Sequence, residues 1–98
     1  MTVELRFAAR ARKDILDNSI WWTKHHPSRP LAFDDELKKA FELIELFPES
    51  APRVMGSRYK HARVRTLVET GHLLVYRQRG RIVTILAVLV SRATPERP

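Results

Sequence analysis

Residues 62–90 read ARVRTLVETGHLLVYRQRGRIVTILAVLV, and this stretch decides the fold. It divides into three apolar segments separated by turn residues. The first covers about 61–68 and ends at Glu69-Thr70-Gly71. The second covers about 72–78 and ends at Arg79-Gly80, a two-residue hairpin loop with glycine where positive φ is required. The third covers about 81–90, and its near-continuous Ile82, Val83, Ile85, Leu86, Val88, Leu89 and Val90 predict a strand covered on both faces. Three short strands in sequence with tight turns form an antiparallel meander.

Upstream the period changes. Val3, Leu5 and Phe7 alternate with Glu4 and Arg6, which predicts a half-buried strand over 2–7. From Ala8 onward, Ala8, Ala11, Ile15, Ser19 and Trp22, widened by Leu16, fall on one helical stripe. Pro27 ends that helix near His25-His26, because the residue before proline is pushed out of helical geometry. Ser28 is the expected N-cap of a second helix, with Pro30 in its first turn. Its apolar stripe is Phe33, Leu37, Ala40, Phe41, Ile44 and Phe47, and Pro48 closes it. Residues 48–60 carry no period and read as a loop. The expected architecture is α+β: a strand, an N-terminal helical hairpin, then a three-stranded antiparallel meander, with the helices packed on one face of the sheet. At 98 residues the chain is expected to form a single domain over 1–98.

Composition narrows the function. There is no cysteine, which excludes disulfides and thiolate metal sites. The apolar runs are far shorter than the ~20 residues of a membrane-spanning helix, and the N-terminus lacks the apolar core of a signal peptide. A soluble cytoplasmic protein with no membrane partner is expected. Charge is segregated along the chain. Residues 1–52 carry 8 Lys/Arg against 9 Asp/Glu, whereas residues 53–98 carry 10 Lys/Arg against Glu69 and Glu96 alone. The arginines therefore sit on the sheet, and a basic sheet surface points to a polyanionic partner.

Strand alternation gives the arginines a direction. His61, Arg63 and Arg65 share one parity, while Ala62, Val64, Thr66 and Val68 share the other. If the apolar set faces the helices, His61, Arg63 and Arg65 face the open side. Arg77, Arg79 and Arg81 cluster around the hairpin turn, and Arg92 follows the last strand. Guanidinium groups grip phosphate bidentately, so Arg63, Arg65, Arg77, Arg79, Arg81 and Arg92 form the expected nucleic-acid or target-binding set. The competing reading is that exposed strand arginines only keep the sheet from self-association. His25-His26 lacks the spacing and the carboxylates of a metal site, so no metal or other cofactor is expected. Of Trp21-Trp22, one is expected to pack in the core.

Four blocks together resemble the RelE/ParE superfamily of bacterial type II toxins: FAARARKDI with the following WW, LAFDDELKKAFELIELFP, ARVRTLVETGHLLVYR and IVTILAVLVSR. The resemblance implies a growth-inhibiting toxin neutralised by a cognate antitoxin protein, which wraps it with an acidic or amphipathic segment. It allows two activities. RelE-like members cleave mRNA on the ribosome; ParE-like members inhibit DNA gyrase and lack the nuclease residues. Arg63 and Arg65 match the basic pair of the RelE-like first meander strand, and Arg92 matches the arginine after the last strand. The second-strand arginine would fall at Leu73, and no tyrosine or histidine follows Arg92. RNA cleavage by a 2′-hydroxyl needs a proton acceptor, which arginine cannot be. His61 is the group of suitable pKa on the expected open face, with Tyr59 behind it. The sequence thus leans towards ParE-like target binding. An mRNA endonuclease using Arg63, Arg65, Arg92 and His61 is the second reading, and a non-toxic binding module on the same fold the third.

Overall fold

The computed structural model describes residues 3–53 and 61–90. The elements run β1 (Glu4–Phe7), α1 (Ala9–His25), α2 (Ala32–Leu46), β2 (Arg63–Leu67), β3 (His72–Arg79) and β4 (Ile82–Val90). The four strands form one sheet in the order β1-β4-β3-β2. β2, β3 and β4 are the antiparallel meander, and β1 adds to β4 in parallel, with Leu5 beside Val83 and Phe7 beside Ile85. Both helices pack on one face. Among the described residues no helix is long and apolar enough to cross a membrane.

The core lies between the helices and the sheet. Ala11 and Trp22 of α1 and Phe33, Leu37, Ala40 and Ile44 of α2 pack against Leu67, Leu74, Tyr76, Val83, Ile85 and Val88. Phe7 meets Phe41 edge to face, with ring centroids 5.3 Å apart. A second, small cluster of Ala62, Val75 and Ala87 lies on the opposite face, flanked by Val64, Leu86 and Leu89. β4 is central because it is apolar on both sides.

Two helix predictions shift. α2 begins at Ala32 with Leu31 as its cap, not at Ser28-Pro30. The connection is a folded turn in which Arg29 N–H donates to His26 O and Ala32 N–H to Arg29 O, while the Trp22 indole donates to Arg29 O at 2.8 Å. These bonds hold residues 26–31 outside the helix. Leu16 and Phe47, expected on the core stripes, are exposed. Leu16 lies on the outer edge of the α1 stripe, and Phe47 has left the helix as its C-cap. The hairpin loop is Gly80-Arg81, one residue later than expected, since Arg79 pairs directly with Ile82; Gly80 takes the positive φ of 59°.

Side chains replace missing backbone partners at two joints. The β2–β3 turn is capped by Glu36 of α2, whose carboxylate accepts the Glu69 and Thr70 N–H groups and the Thr70 hydroxyl. β1 pairs with β4 only over Ile82–Ile85. Beyond its end, Asp14 of α1 accepts the Val88 N–H at 3.0 Å, so a carboxylate takes over where the neighbouring strand has stopped.

Candidate target-binding surface

The structure divides the arginines into two groups on opposite faces. Arg63 pairs with Tyr76, Arg65 with Leu74 and Leu67 with His72 across the β2–β3 ladder. Leu67, Leu74 and Tyr76 belong to the helix-side core, so Arg63 and Arg65 point to the helix side. The expectation that they share the open face is corrected. The apolar residues Ala62 and Val64 do face together, but towards the small cluster on the far side of the sheet, and Val68 is 81% exposed beyond the strand end.

The physical reason lies in what covers the sheet at this point. α2 has ended at Leu46, and the following segment passes over β2 with its backbone inward. Arg63 donates to the carbonyls of Ala51 (2.7 Å) and Glu49 (3.2 Å), and Arg65 donates to the Ser50 hydroxyl. The Tyr76 phenol donates to Pro48 O at 2.8 Å, and Val64 N–H to Pro52 O at 2.9 Å. Guanidinium donors suit a cover made of carbonyls better than apolar side chains would. Arg63 and Arg65 thus clasp residues 48–52 to the sheet.

His61 is exposed and lies outside β2, with φ of 62°. This left-handed conformation breaks the strand alternation before it reaches residue 61, so parity does not place His61 beside Arg63 and Arg65. Arg92 and Tyr59 lie outside the described residues. The titratable side chain packed against the clasp is Tyr76. Its burial pushes the phenol pKa up, and the Arg65 and Arg63 charges offset part of that rise. A buried phenol already donating to a carbonyl is no proton acceptor at neutral pH. The clasp offers positive charge without a base among the described residues.

The second group lies on the open face. Thr84 of β4 stands between Arg6 of β1 and Arg77 of β3, and Ile82 stands between Glu4 and Arg79. Leu5 and Phe7 pack towards the helices, so Glu4 and Arg6 face the same way as Arg77 and Arg79. Arg6 holds Glu4 at 2.8 Å. Arg79 and Arg81 flank Gly80 at the hairpin tip and are exposed. Among the described residues, no carboxylate lies within ion-pair distance of Arg77, Arg79 or Arg81. The hairpin half of this face is therefore basic, and in the other half the half-buried Val64, Leu86 and Leu89 surround the buried Ala62, Val75 and Ala87. Arg6 is the member that sequence reading missed; only the parallel pairing of β1 with β4 brings it into the row.

The aromatic pairs serve packing. Trp22 is buried and Trp21 exposed. His25 stacks on Trp21 at 4.2 Å and His26 on Trp22 at 3.8 Å, both at i, i+4 spacing. Among the described residues no cluster of His, Asp or Glu could hold a metal ion. A groove of about 690 Å³ runs between the second half of α1 and the β2–β3 turn, walled by Trp21, Trp22, Val68 and Val90. Its floor is His72, whose Nδ1 lies 2.9 Å from Thr70 Oγ1 and whose Nε2 lies 3.1 Å from Asn18 Oδ1. Burial pushes the His72 pKa down, and the Glu36 charge partly opposes that.

Comparison with known structures returns this fold repeatedly. The chromosomal ParDE toxin–antitoxin system of P. aeruginosa contains a chain that matches with a TM-score of 0.73 at 20% identity, covering 92% of this chain and 97% of that one. A chain of the E. coli DinJ–YafQ toxin–antitoxin complex matches at 0.63 and 13% identity, covering 96% and 98%. A variant of the E. coli toxin RelE in its free state matches at 0.61 and 22% identity, covering 96% and 88%. At these identities the likeness is one of fold. No curated protein matches the sequence significantly. The sequence itself matches the family described as "ParE toxin of type II toxin-antitoxin system, parDE" over residues 5–94, nearly its whole length. The chain therefore belongs to the ParE toxin family of type II toxin–antitoxin systems.

Proposed function

We propose that this toxin arrests growth by binding a macromolecular target, DNA gyrase in the ParE manner, and that a cognate antitoxin in the cytoplasm neutralises it. The family match over residues 5–94 carries this reading. The chemistry of the arginines supports it: Arg63 and Arg65 are engaged by the carbonyls and hydroxyl of residues 49–51, and no proton acceptor stands beside them among the described residues. Binding by Arg6, Arg77, Arg79 and Arg81 needs no such acceptor. An acidic, amphipathic antitoxin segment suits a face that is basic at the hairpin and carries the half-buried Val64, Leu86 and Leu89 beyond it.

The test is expression in bacteria with and without the neighbouring open reading frame, followed by two assays on the purified chain. Growth arrest relieved by the neighbour, with loss of gyrase supercoiling and intact translated mRNA, is the expected result. Cleavage of mRNA at ribosomal positions, lost on His61→Ala, would replace it with the endonuclease reading. Absence of any arrest would leave a binding module on a toxin fold.

A further inference from the structure

The protons of the groove floor can be counted. The Glu36 carboxylate accepts the Glu69 N–H (2.8 Å), the Thr70 N–H (3.0 Å) and the Thr70 hydroxyl (2.7 Å). The Thr70 hydroxyl proton is thereby used, and its oxygen, 2.9 Å from His72 Nδ1, is left to accept a proton from the ring. On the other side, His72 Nε2 lies 3.1 Å from Asn18 Oδ1. The same amide uses its Nδ2 to donate to Asp14 O at 2.7 Å. A carbonyl oxygen donates nothing, so Nε2 must donate as well. Turning the amide over would bring two carbonyl oxygens together at Asp14. The contacts are all satisfied only when both ring nitrogens carry a proton.

The surroundings pull both ways on such a cation. His72 is 3% exposed beside the Phe33 ring, whose centroid lies at 4.6 Å, and this burial works against the charge, while the Glu36 carboxylate favours it. The charge that acts on it is Glu36 of α2; Asp17 of α1 and Glu69 of the turn line the same groove. Lys13 pairs with Asp17 at 2.6 Å and Arg29 with Glu69 at 3.7 Å, both at the rim. His26 stacks on Trp22, and β4 contributes only Val88 and Val90 on this side.

We propose that His72 is a proton-operated tie between α1 and the β2–β3 turn. Doubly protonated, its ring bridges Asn18 to Thr70 and, through Thr70, to Glu36 of α2. Singly protonated, it must give up a contact: the Asn18 amide turns over and drops Asp14 O, the Thr70 hydroxyl turns its proton from Glu36 to the ring, or the ring lets go of Asn18 or Thr70. The helix half that carries Trp21 and Trp22 is thus held to the groove floor in a protonation-dependent way. Because burial opposes the charge, the change falls on the acid side of neutrality.

The test follows the His72 ring nitrogens and the Asn18 side-chain amide by NMR on the full isotope-labelled chain, from about pH 8 down to about pH 5. The expected result is a ring that gains its second proton while the Asn18 amide signal moves with the same midpoint. In Asn18→Asp the acceptor becomes an anion, and the midpoint should rise by about one pH unit. In Asn18→Leu it should fall. An Asn18 amide that ignores the ring titration, or a midpoint equal in wild type and Asn18→Asp, would overturn the proposal. The wild-type titration stands alone if either variant fails to fold.

Discussion

At the scale of single residues, the informative side chains are Arg63, Arg65 and Tyr76, because their chemistry is spent on the fold. Arg63→Ala removes two charge-assisted donors and leaves the carbonyls of Glu49 and Ala51 unserved. We expect a loss of about 1.5–3 kcal/mol in urea denaturation. Arg79→Ala, on the exposed hairpin tip, should change stability by less than about 0.5 kcal/mol in the same measurement. Tyr76 predicts a pH effect of definite sign. Its folded pKa is raised above the ordinary value of about 10, so the folded state holds the phenol proton more tightly than the unfolded state does. That contribution is fully present below about pH 10 and is lost as the pH rises from there through the folded pKa. Denaturation curves for wild type and Tyr76→Phe should converge in the alkaline range, with Tyr76→Phe less stable by about 1 kcal/mol at neutral pH for want of the bond to Pro48 O.

At the scale of elements, hydrophobic period located all six elements, since strands and helices must bury one face each and the residues that do so recur at 2 or 3.6. What it could not supply was the identity of the cover. Arg63 and Arg65 alternate with Ala62 and Val64 as though polar meant solvent, yet the cover over that end of β2 is the backbone of residues 48–52, which attracts guanidinium groups. Nor could local period reveal the parallel pairing of β1 with β4, a contact between residues nearly eighty positions apart, or the Arg6–Thr84–Arg77 row that follows from it. The same long-range pairing gives Asp14 its work. β4 continues past the end of β1, and Asp14 supplies the acceptor that a longer β1 would have supplied to Val88. Asp14→Ala leaves a central-strand N–H unpaired beneath α1, at an expected cost of about 1–3 kcal/mol. Hydrogen exchange should show the effect directly, with the Val88 amide losing protection before those of Val83 and Ile85, which lie where β1 still pairs.

At the scale of the whole molecule, the chain carries a net charge of +7, and its arginines and lysines have different uses. Lys13 and Arg29 are held by nearby carboxylates, Arg63 and Arg65 clasp the segment after α2, and Arg77 and Arg79 on the open face, with Arg81 at the hairpin tip, stand without an ion pair among the described residues. This last group concentrates available charge at one end of the sheet, where it can steer a partner, and steering acts on encounter more than on the final contacts. Charge reversal at Arg77→Glu, Arg79→Glu and Arg81→Glu should therefore slow association with an acidic antitoxin by about tenfold or more at low ionic strength, with thermal stability unchanged. Raising the salt should narrow the gap between variant and wild type, because exposed charges are screened over about 10 Å at 0.1 M. Stopped-flow association of the purified pair at two ionic strengths measures both effects. If the variant associates as fast as wild type at low salt, the hairpin arginines are not the surface that meets the antitoxin, and the half of that face around Val64, Leu86 and Leu89 is left to account for recognition alone.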